Sequence, residues 1–181
     1  SEKEALDEVR KRVEDVRRDN KRILEESERL NRESRKRNRD ILERLRKEAE
    51  DLKREIDETV KDKDKVKELD DRLKKVLKEV EDLVRESERD LERIHKRSRD
   101  LVRESERDLD RIEKEIKDAA DRDVDLDKLL EDLERLLKEN LDRLRKILEE
   151  DRRLNKENND KLKEIEKRVR ELLKDIKDKL K

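Results

Sequence analysis

Apolar residues recur at three- and four-residue steps along three stretches of this chain, and the stepping loses phase twice. The first stripe runs Leu6, Val9, Val13, Val16, Asn20, Ile23, Ser27, Leu30, Ser34, Asn38, Ile41, Leu45, Ala49, Leu52, Ile56. Its mean step of about 3.6 residues is the period that gathers side chains onto one face of an α-helix. A second stripe passes from Val66 through Leu73, Val80, Leu83, Leu91, Leu101 and Leu109 to Ile116, and a third from Leu126 through Leu133, Leu144, Leu154 and Leu172 to Leu180. The breaks fall near residues 61–65 and 121–125. The pattern predicts helices over about residues 2–61, 65–121 and 126–180. Asp64 is the expected N-cap of the second helix and Asp125 of the third, with Val124 and Leu129 placed as a hydrophobic staple. Connections this short force neighbouring helices antiparallel. The expected fold is therefore all-α, a single-chain up-down-up three-helix bundle over residues 1–181, with long, nearly straight helices of roughly 80 Å each. The widest stripe, on the third helix, spans about 140° from Leu136 to Leu141. Two neighbours bury about that much, which leaves no surface set aside for a further partner.

The polar residues inside the stripes carry a second pattern. The segment from Asp82 to Leu91 recurs unchanged from Asp100 to Leu109, eighteen residues later. Eighteen residues make five turns at 3.6 per turn, so the repeated face does not drift and little supercoil is required. Asn20 and Asn38 share that offset, as do Asn140 and Asn158, and Ser87 and Ser105. Folding at the two breaks places Asn20 and Ser105 equally far from the first turn, and Ser105 and Asn140 equally far from the second. The same holds for Asn38, Ser87 and Asn158. Two polar layers are expected, Asn20–Ser105–Asn140 and Asn38–Ser87–Asn158, roughly 27 Å apart along the helices. Between them lie Ser27, Asn31, Ser34, His95, Ser98, Asp151 and Asn155.

That central group holds a serine, a histidine and an aspartate at one height, the residue types of a nucleophilic triad. Acyl transfer also needs an oxyanion hole and a concave pocket. Continuous helices without glycine use their backbone N–H groups internally and supply neither. The group is expected to be a buried hydrogen-bond network in which His95 bridges helices and Asp151 accepts, and the chain is not expected to be an enzyme. One histidine and one core carboxylate are too few ligands for a metal, and no cofactor is implied.

Composition narrows the partners. Charged residues make up 64% of the chain, but 57 basic residues balance 58 acidic ones. No electrostatic footprint for nucleic acid or an anionic membrane follows. The basic run Arg35-Lys36-Arg37-Asn38-Arg39 is flanked by acids and reads as a solvated face. No apolar stretch approaches the ~18 residues of a membrane span, and no targeting signal sets a localisation, so the chain is read as soluble. Cysteine is absent, as are glycine, proline and every aromatic residue.

Repeat, charged surface and polar layers together resemble de novo designed three-helix bundles built on parametric backbones with buried hydrogen-bond networks. The resemblance covers the whole chain. It implies a structural scaffold whose polar layers specify helix register, with no natural biochemical activity and no required partner. On this reading the protein is a monomer. The alternative is a designed binding or oligomerisation module, either a homo-oligomer or half of a hetero-complex.

Overall fold

The computed structural model describes residues 2–121 and 125–180. Three helices, α1 (Glu2–Thr59), α2 (Lys63–Asp121) and α3 (Leu126–Asp178), pack against one another as an all-α three-helix bundle. Helices this long without glycine or proline carry no internal breaker, and no described residue has a positive φ.

The first turn is closed by Asp62 rather than Asp64. Asp62 Oδ1 accepts from the Asp64 backbone N–H at 3.0 Å, and its carbonyl accepts from Val66 N at 3.0 Å. Both aspartates can cap; the earlier one lets the helix start sooner and leaves Asp64 in the first turn, where an acid opposes the helix dipole favourably. At α3, Asp125 Oδ1 lies 3.4 Å from Lys128 N and the Asp125 carbonyl accepts from Leu129 N at 3.2 Å. The other half of the expected staple, Val124, lies outside the described residues.

The chain divides into two compact units, each built from all three helices. Unit 1 comprises Ser1–Leu30 and Arg93–Arg153. Its core joins Leu6, Val9, Val13 and Val16 of α1 to Val102, Leu109, Ile112 and Ile116 of α2 and Leu133, Leu137, Leu144 and Ile147 of α3. Unit 2 comprises Asn31–Glu92 and Leu154–Lys181. There Ile41, Leu45, Leu52 and Ile56 meet Leu69, Leu73, Val80 and Val84 of α2 and Leu162, Val169, Leu173 and Ile176 of α3. Full burial of one such side chain contributes about 1.5–3 kcal/mol, so each unit has a substantial core of its own. Cross-helix pairs show the chain direction. In unit 2, Arg35, Arg39 and Arg46 of α1 meet Glu92, Glu88 and Glu81 of α2, in opposite senses. By contrast α1 and α3 pair in the same sense, Arg12 with Glu134 and Glu26 with Arg152 in unit 1, and Arg44 with Glu166 and Glu48 with Arg170 in unit 2.

The stripes are broader than a single line of positions. Val84 and Val102 are fully buried, whereas Leu83 and Leu101 are half-buried beside them. Each helix faces two neighbours, so two adjacent lines of residues share the interior. On α3 the face stops short of its expected edge, because Leu137 is buried and Leu136 is 36% exposed.

Near the first turn, in unit 2, Asp70 of α2 has Oδ1 buried with no hydrogen-bond partner. Burial pushes its carboxyl above the ordinary value of 3.8; nearby Asp57 adds to the rise, and Lys53 and Lys74 oppose it. A folded pKa above the unfolded one means that this group's stability is fully present below the unfolded value and is lost as pH rises through the folded one. Ionising Asp70 therefore costs stability that the protonated carboxyl keeps. Asp70→Asn is expected to raise the melting temperature at pH 7, with the gain shrinking towards acid. Thermal denaturation of both proteins across pH tests this, and a loss at pH 7 or a pH-independent difference contradicts it.

Candidate functional site

The most organised polar chemistry is in the two layers. In unit 1, Asn20, Ser105 and Asn140 are each no more than 3% exposed. Asn20 Nδ2 donates to Ser105 Oγ at 2.9 Å, and Ser105 Oγ lies 2.6 Å from Asn140 Oδ1 and 3.2 Å from Asn20 Oδ1. A serine has one hydroxyl proton. The shorter contact takes it, so the relay runs Asn20 to Ser105 to Asn140. Asn140 Nδ2 closes the set on the Ser105 carbonyl at 3.4 Å.

Unit 2 repeats the arrangement. Asn38 Nδ2 donates to Ser87 Oγ at 2.8 Å, Ser87 donates to Asn158 Oδ1 at 2.7 Å, and Asn158 Nδ2 reaches the Ser87 carbonyl at 3.4 Å. In both units the serine on α2 is the hub and the asparagines of α1 and α3 address it from either side. A shallow groove of about 310 Å³ flanks this second layer, lined by Leu83, Ser87, Asn158, Ile165 and Arg168 among others.

Surroundings distinguish the layers. Asn20 Nδ2 also donates to Glu106 Oε1 at 2.9 Å. Arg17 holds the other oxygen of Glu106, and reaches Asp110 at 2.7 Å and Glu113 at 3.1 Å. Asp110 first, with Glu113 and Glu106, keeps the Arg17 guanidinium more firmly protonated than usual, against the opposing cost of burial. This cluster was not foreseen from the sequence. Its signal was the acidic spacing Glu106, Asp110, Glu113, which lays three carboxylates along one face of α2.

Along the run Arg35–Arg39 the face is solvated at Lys36, Arg37 and Arg39, as its charge suggested, but Arg35 is half-buried and Asn38 points inward. Arg35 pairs with Glu92, Arg39 approaches Glu88 at 3.6 Å, and Asn38 is fully buried. Stripe position decides burial here, because Asn38 falls on the inward line and arginine can lie along the helix boundary with its head at the edge.

The central residues are divided between the two units. In unit 1, Ser27 Oγ lies 3.3 Å from His95 Nδ1; Ser27, Ser98 and Asp151 are buried, while His95 is half-buried. In unit 2, Ser34 Oγ donates to Asn155 Oδ1 at 3.1 Å. Asn31 turns to backbone, its Nδ2 donating to the Leu91 carbonyl at 2.8 Å. Among the described residues no group of three His, Cys, Asp or Glu side chains could hold a metal ion, and no helix is long and apolar enough to cross a membrane. No protein-family model, curated protein or solved structure matches the chain.

Proposed function

We propose that this chain is a designed structural scaffold, a three-helix bundle whose polar layers specify helix register and which has no catalytic or cofactor-binding role. The observation that carries the reading is the donor relay Asn–Ser–Asn, made twice with the same atoms at an eighteen-residue spacing. A wrong register would bury these amides and hydroxyls unpaired, at about 1–3 kcal/mol for each group. Such layers select one arrangement of helices rather than add to its stability. The Ser27–His95 contact fits the same purpose, since Ser27 lies within α1, where backbone N–H groups are committed to helical carbonyls.

A scaffold of this kind is expected to be a monomer. Light scattering over a wide concentration range should return a mass near 22.3 kDa throughout. A mass that climbs to a multiple of this value would favour the oligomerisation module instead.

A further inference from the structure

We propose that unit 2 holds one ordered water molecule between Arg35 and Asn38, a site with no equivalent at Arg17 and Asn20 in unit 1. The two asparagines occupy equivalent positions in the eighteen-residue pattern, yet their hydrogen bonding differs. Ser87 spends its one proton on Asn158 Oδ1, so it must accept from Asn38. That fixes the orientation of the Asn38 amide, with Nδ2 on Ser87 and Oδ1 directed elsewhere. Asn38 is fully buried, and no protein group donates to its Oδ1.

The neighbouring turn of α1 has the complementary defect. Arg35 is bound to Glu92, but its Nε–H is buried with no acceptor. Residues three apart on a helix lie on one face, with Cβ atoms about 5–6 Å apart. A buried donor and a buried acceptor on one helix face, a turn apart, suit a small uncharged ligand that both accepts and donates, as one water molecule does. Each group left unpaired would be costly, and buried polar groups are routinely satisfied by ordered water.

Unit 1 explains why the site arises only once. Arg17 Nε donates to Glu113 at 3.1 Å. Eighteen residues before Glu113 the chain carries His95, so Arg35 has no carboxylate in the equivalent sequence position. Glu106 meets Asn20 directly, whereas its counterpart Glu88 faces Arg39, which stands where the first repeat has Lys21. Asn20 Oδ1 lies 3.2 Å from the Ser105 hydroxyl, whose proton goes to Asn140, so what unit 1 lacks is a free buried Nε–H beside the acceptor.

The test is magnetisation transfer from water in the intact protein, read in the rotating frame, where chemical exchange and dipolar contact have opposite signs. The expected result is a dipolar signal at Arg35 Nε–H and the Asn38 side-chain amide, and none at Arg17 Nε–H. Arg35→Met, which keeps the aliphatic stem, should abolish the signal at Asn38. Absence of both signals in the parent protein, an equal signal at Arg17, or persistence at Asn38 in the Arg35→Met variant would each overturn the proposal.

Discussion

Ser87→Ala is expected to destabilise the protein by about 3 kcal/mol and Ser105→Ala by about 2 kcal/mol, although the two serines sit in identical ten-residue segments. Each serine is the middle of a relay, so its loss strands groups on both sides. At Ser87 the stranded groups are the Asn38 amide donor and Asn158 Oδ1. At Ser105 they are Asn140 Oδ1 and only part of Asn20, because Asn20 Nδ2 retains Glu106. Replacing Asn20, Ser105 and Asn140 together by apolar residues of matching volume should come within about 1 kcal/mol of the parent, since no polar partner is then left behind. The single and triple effects are therefore strongly non-additive. Chemical denaturation of the two serine variants and the triple variant decides the matter. Equal costs at both serines, or a triple variant as unstable as the sum of its singles, would show that the relays are not what holds these residues inside.

Much of this was legible before any coordinates, for a definable reason. Helix formation and the inward line follow from spacing alone, and the partners in each layer follow from equal distances to a turn. Asn20, Ser105 and Asn140 could be grouped because an antiparallel chain maps distance from a turn onto height. What spacing does not encode is the direction of a proton. That Ser105 donates to Asn140 and accepts from Asn20 depends on distances of a few tenths of an ångström. The choice of Asp62 over Asp64 as cap was hidden similarly, because two acids two residues apart offer the same chemistry and only the onset of helical backbone separates them. Leu83 and Leu101 were assigned to a single line, but a helix between two neighbours buries Val84 and Val102 more fully. The central group was placed by height alone. Height does not tell whether Asn31 turns to a side chain or to the Leu91 carbonyl.

Replacing all six layer residues, Asn20, Ser105, Asn140, Asn38, Ser87 and Asn158, by apolar residues is expected to cost uniqueness rather than stability. In the parent protein, sliding one helix by a turn or two keeps the leucines, isoleucines and valines on the inward face, because their spacing is nearly periodic. Such a slip leaves the hydrophobic term almost unchanged. What it changes is the pairing of six buried polar side chains. Even at about 1 kcal/mol for each stranded group, six add to roughly 6 kcal/mol, enough to suppress slipped arrangements by about four orders of magnitude. Without those groups the polar penalty on a slip falls by about half, to what the central residues Ser27, Asn31, Ser34, Ser98, Asp151 and Asn155 supply, and cores that keep volume and pattern lose uniqueness before they lose stability. The sixfold variant should therefore resist denaturant at least as well as the parent, while its ¹H–¹⁵N spectrum shows duplicated or broadened resonances where the parent gives one set. A sixfold variant with a single sharp set of peaks would mean that apolar packing, the central polar residues and the two short turns fix the register without the layers. The layers would then be left without the role proposed for them.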